Sequence, residues 1–108
     1  AVKKPPVKGL NINRTEYDKQ GLLVPVEPDL SLTDDMLLLE IPADIDEMKI
    51  ANIDAAHRWR ELIQKAFLHY FNAGCYVNSL QVERKGDTRR VCYVLERLTK
   101  QYRPMTYD

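Results

Sequence analysis

A chain of 108 residues, 44% apolar and 30% charged, has the make-up of one small globular domain or part of a larger one, not of a disordered polymer. Sixteen Lys and Arg balance sixteen Asp and Glu, so no net field recommends nucleic acid or a membrane surface as partner. No apolar run approaches the ~20 residues of a membrane-spanning helix. No secretory h-region precedes Cys75 and Cys92, and reduced thiols in a cytoplasmic protein are the expectation.

Taken in order, residues 1–21 read as an extended arm: Lys3, Lys4 and Lys8 charge it, and Pro5, Pro6, Gly9 and Gly21 punctuate it. The chain opens Ala-Val-Lys-Lys rather than with Met, which is compatible with processing or with a fragment of a longer protein. Residues 22–108 are expected to form a single small α/β domain, or the C-terminal half of a larger one. Leu22 to Glu27 is a short apolar run broken by Pro25, at best an edge strand because proline lacks the ladder N–H. Met36 to Ile41 is the clearest buried strand, apolar except for Glu40 and ended by Pro42.

Asp44 followed by Glu47 has the spacing of a capping box, which starts a short helix near 44–51. Asp54 can cap a longer helix over 54–73. There Ala55, Trp59, Leu62, Ile63, Ala66, Phe67, Tyr70 and Phe71 recur at helical spacing, and Gly74 stops it. Two β-prone runs, 75–84 and 89–97, flank a Lys-Gly-Asp-Thr turn and predict an antiparallel hairpin. Val91, Tyr93 and Leu95 should face one way, Cys92 and Val94 the other. The crossover rule predicts a parallel relation between strand 36–41 and the strand after the helix.

Charge is segregated within this order. Eight acids and no Lys or Arg lie between Lys19 and Lys49, and seven basic residues stand against Asp87 and Glu96 from Arg84 to Arg103. Exposed ion pairs are worth little, so two separately solvated faces are expected. Arg84, Lys85, Arg89 and Arg90 read as a basic hairpin tip. No metal site is expected: His57 and His69 are twelve residues apart, about 18 Å on one helix, and Cys75 and Cys92 have no metal-ligand spacing. No P-loop, dinucleotide fingerprint or nucleophile elbow is present. Trp59, between Arg58 and Arg60, is expected first as a core anchor.

Strand, helix, glycine and hairpin in this order resemble the C-terminal part of GNAT-type acyltransferases, whose fourth helix commonly ends Y-x-x-x-G-[FY] before a strand pair that completes the sheet. Tyr70, Gly74 and Tyr76 match, with one extra residue, Cys75, before the aromatic. From about Leu37 to Arg97 the chain is similar to a poorly characterised branch of predicted GNAT acetyltransferases. The matching residues run from Glu40, Ile41, Pro42, Asp44 and Lys49 through Ala56, Trp59, Arg60 and Phe67. They continue with Val77, Tyr93, Val94, Leu95, Glu96 and Arg97.

The resemblance implies a GNAT-like fold of the α/β (α+β) class, with a mixed sheet, one dominant helix and an antiparallel hairpin. It implies transfer of an acyl group from acetyl-CoA or another acyl-CoA to a small-molecule amine. Tyr70 would be the general acid toward the departing thiolate, and Trp59 and Arg60 would line the acceptor cleft. The family's [QR]-x-x-G-x-[GA] pyrophosphate loop is not in the sequence, so this chain alone is not expected to be active. A homodimer, or an N-terminal half of the same protein, is the protein partner expected. The alternative is a non-catalytic α/β interaction module.

Overall fold

The computed structural model describes residues 9–98. The lysine and proline cluster at 3–8 and the polar tail beyond Leu98 lie outside that range. The fold is α+β, with a mixed four-stranded sheet and two helices. In chain order the elements are β1 (Leu10–Asn11), β2 (Met36–Ile41), α1 (Ile45–Ala51), α2 (Ile53–Asn72), β3 (Cys75–Lys85) and β4 (Thr88–Arg97).

The helices stand where the periodicity puts them, but their caps differ. The Asp44 side chain makes no cap bond, because its carboxylate turns to Arg89, 3.3 Å away. Asn52, extended at φ −157°, ends α1 and starts α2, and its side chain accepts a bond from the Ala55 N–H at 3.1 Å. Asp54 falls inside the first turn instead, where its charge still meets the positive end of the helix. Ala56, Trp59, Leu62, Ala66 and Tyr70 are the buried positions of α2, spaced three or four apart on one face. Gly74 sits just past the helix at φ 91°, a left-handed conformation that costs a Cβ-bearing residue about 1 kcal/mol.

The hairpin turns through Gly86 and Asp87, with only Gly86 at positive φ (62°), the pattern of a type II′ turn. Strand order is β1-β2-β4-β3. The last strand therefore lies between β2 and β3 and is antiparallel to both, with Leu37 opposite Leu95 and Leu39 opposite Tyr93. β2 and β3 run in the same direction as expected from the crossover, separated by β4. β1 is parallel to β2 through only Leu10 and Asn11.

Two corrections concern the first third of the chain. Leu22 to Glu27 is not a strand; its only β contact is a bridge from Leu23 to Tyr17. Its backbone is engaged by α2 instead, as described below. The stretch read as an arm supplies Ile12, 1% exposed, to the main core with Leu37, Leu39, Ala66, Tyr70, Cys75 and Leu95. A second cluster joins Leu23, Met48, Ala56 and Trp59 where α1 meets α2. Among the described residues no helix is long and apolar enough to cross a membrane.

Candidate functional site

Trp59 and Tyr70 are both completely buried, eleven residues apart on α2. Each spends its polar atom on the segment that connects β1 to β2. The indole Nε1–H donates to the Leu23 carbonyl at 2.9 Å. The Tyr70 hydroxyl donates to the Asp29 carbonyl at 2.5 Å and accepts from the Leu32 N–H at 3.3 Å. Between them Lys65 reaches Glu27 at 2.9 Å. Residues 23–32 thus run alongside α2 in the same direction, as a strap pinned at both ends and once in the middle. Each buried pin matters because an orphaned donor or acceptor there costs roughly 1–3 kcal/mol.

This placement sets what the sequence-derived site residues can do. The phenol proton of Tyr70 is committed to a backbone carbonyl. Burial, the largest cause, pushes its pKa above the ordinary tyrosine value, and the negative charge of Asp29 adds to the shift. The group is a fully protonated donor near neutrality. Trp59 is a core anchor with no exposed surface. Arg60, one residue on, points instead to the rim of a shallow apolar groove of about 510 Å³, with Lys49, Ile63, Phe67 and Phe71. Tyr70 and Trp59 therefore share the strap, while Arg60 stands apart from both.

The sheet face away from α2 carries a second polar centre, which the sequence reading did not isolate. Glu40 is the one charged residue of β2, and its side chain is 11% exposed. Arg90 grips it with two bonds, Nε to Oε2 at 2.6 Å and Nη2 to Oε1 at 2.7 Å. The same guanidinium reaches the Thr15 hydroxyl at 3.1 Å and lies 5.4 Å from the centre of the Tyr17 ring. The Thr15 hydroxyl donates to Glu40, and Asn13 pairs with the Glu40 backbone like a neighbouring strand, accepting from its N–H and donating to its carbonyl, both at 2.9 Å. The hydrogen bond to the Glu40 carboxylate, and then its charge, raise the Arg90 pKa still further, so the guanidinium keeps its charge.

Glu40 forms the wall between two clefts. One, of about 270 Å³, lies at the end of β2 against Tyr17, Pro42, Asp44, Met48 and Arg89. The other, about 450 Å³, lies on the open sheet face with Asn13, Arg14, Gln81 and Cys92. Burial first, and then the Glu40 and Glu83 charges, push the Cys92 thiol up to about 11, which makes it a poor nucleophile. The acidic and basic blocks thus meet within the chain, through Glu40–Arg90 and Asp44–Arg89, rather than being solvated separately. The expected basic tip is correspondingly divided: Arg89 turns to the Ala43 carbonyl and Asp44, and Arg90 turns under Thr15. The available signal was Glu40 itself, a lone carboxylate in a buried strand that needs a partner.

Among the described residues no three His, Cys, Asp or Glu converge as a metal site. At the start of α2 the Asn52 side chain itself takes the Ala55 N–H, and among the described residues the sequence pattern of a diphosphate loop is absent. Comparison with known proteins gave no match to a family model, a curated protein or a solved structure.

Proposed function

We propose that this chain is the acceptor-side part of a GNAT-like N-acyltransferase, which moves an acyl group from an acyl-CoA to an amine. The observation that carries the reading is the junction of α2, Gly74 and the hairpin. Tyr70, Gly74 and Tyr76 of the resembling motif follow one another through that junction, Tyr76 on the opposite sheet face from Tyr70, and Tyr70 is buried and protonated as a general acid must be. In this reaction the amine nitrogen attacks the thioester carbonyl, the C–S bond breaks, and the departing thiolate takes the Tyr70 proton. The proton shed by the acylated nitrogen passes to water, from which the phenolate is reprotonated. The strap over Tyr70 has to lift from Asp29 to Leu32 for that transfer, since those residues hold the hydroxyl. The described residues do not fit the CoA diphosphate, so its phosphates are held by another segment or chain.

Two measurements test the reading. Titration calorimetry of acetyl-CoA into the 108-residue chain should give negligible heat, and into the full gene product a saturable isotherm. Thiol release by the full product with a panel of amines tests the chemistry. Tight binding by the 108 residues alone sinks the division of labour, and no thiol release with any amine sinks the acyl-transfer reading. The second reading, a non-catalytic interaction module, is favoured by one observation: Leu68, Phe71, Leu80 and Val82 are all 44–61% exposed. It predicts partner binding without thiol release.

A further inference from the structure

The core-facing stripe of α2 is not its only apolar stripe. Ile53, Leu68 and Phe71 are 51%, 61% and 44% exposed. They lie with His57, Arg60, Glu61 and Gln64 along a line of steps of three and four, which is one face of a helix about 30 Å long. Ile50, in the last turn of α1, is 89% exposed but lies on a separate helix beyond the extended Asn52. Apolar residues thus occupy the two ends of the face, and an adjacent arginine and glutamate occupy its middle. Neighbouring residues on a helix do not face each other. Among the described residues neither Arg60 nor Glu61 has an ion pair.

We propose that this face of α2 binds a second copy of the chain, with the two helices antiparallel about a two-fold axis that passes between Arg60 and Glu61. One register pairs the line from Ile53 to Leu68. It sets Ile53 against the partner's Leu68 and His57 against the partner's Gln64. Arg60 then meets the partner's Glu61, and the symmetry repeats that ion pair. The surface is self-complementary in both hydropathy and charge, which is what an isologous interface requires. A partner of different sequence has no reason to match an arginine–glutamate dipeptide at the midpoint of an apolar line. The inference is independent of the acyl-transfer reading.

Sedimentation equilibrium from micromolar to submillimolar protein is the test, with circular dichroism on each sample to establish folding. The wild-type chain should dimerise reversibly. Leu68→Glu and Arg60→Glu should each raise the dissociation constant roughly tenfold or more, and Arg60→Glu combined with Glu61→Arg should restore it by exchanging the pair. All three positions are exposed, so a folded variant is expected in every case. A monomer at every concentration overturns the proposal, as does a dimer indifferent to both single substitutions. Failure of the double exchange to restore association overturns the register. Dissociation by Val82→Lys alone assigns the interface to the β3 edge and overturns it as well.

Discussion

Replacing Tyr70 by Phe removes one oxygen and leaves the ring, which isolates what the strap contributes. Among the described residues the hydroxyl is the one side-chain partner of both the Asp29 carbonyl and the Leu32 N–H, and it lies on a fully buried residue. Leaving both backbone groups unsatisfied costs up to about 1–3 kcal/mol each if they stay dry. The bonds are only partly buried, however, and water can reach the strap once it loosens. A net loss of about 1–2 kcal/mol follows, read as a fall of roughly 4–16 °C in Tm for a domain of this size. Urea unfolding followed by Trp59 emission gives the same quantity and should leave the denaturant slope unchanged. A loss below about 0.5 kcal/mol, within the scatter of ordinary surface substitutions, refutes the claim that Tyr70 pins the strap. Alkaline pH supplies an internal control. The folded-state pKa of Tyr70 is raised, so its contribution is complete below the unfolded value near 10 and is lost as pH climbs through the folded one. The wild type should lose stability above pH 10 more steeply than Tyr70→Phe.

Other expectations are as direct. Arg90→Leu strands the Glu40 carboxylate and should destabilise by about 2–4 kcal/mol. Glu40→Leu with Arg90→Leu should recover most of that loss, because an apolar pair needs no partner. Gly74→Ala meets no atom within 4 Å of the new Cβ, so its cost of about 1 kcal/mol in thermal melts is purely that of the positive φ. The folded-state Cys92 thiol, at about 11, should be alkylated near pH 8 at least tenfold more slowly than a cysteine in the urea-unfolded chain.

What was legible in the sequence was local. The bounds of α2 follow from a stripe of apolar residues three and four apart, and the hairpin from Gly86 between two β-prone runs, each within a short window. What was not legible joins distant residues through geometry. Nothing near Thr88–Arg97 says that β4 inserts beside β2 rather than at the sheet edge. β1 is two residues long, too short for any period, and its pairing is decided by the strand it meets. The Glu40–Arg90 pair spans fifty positions; each partner was read in its own charge block, and neither block points to the other. Leu22 to Glu27 has strand composition, but Pro25 lies within it, and the Leu23 carbonyl is taken by an indole on α2 rather than by a neighbouring strand.

The break in register between Val77 and Ser79 opens one last consequence. Before it, Cys75 and Val77 share the helix-facing side of the sheet with Leu95; after it, Leu80 and Val82 share that side with Tyr93 and Val91. The odd-numbered positions give way to the even-numbered ones at Asn78, a phase slip of one residue. The one residue by which β3 exceeds its partner between Val77 and Ser79 is thereby absorbed at a single position. Beyond it β3 pairs with β4 without a further shift as far as the turn, and the Arg90 that reaches Glu40 keeps its register. An insertion in a strand usually turns the rest of it inside out. Here the bulge confines the change of phase to one corner of the sheet.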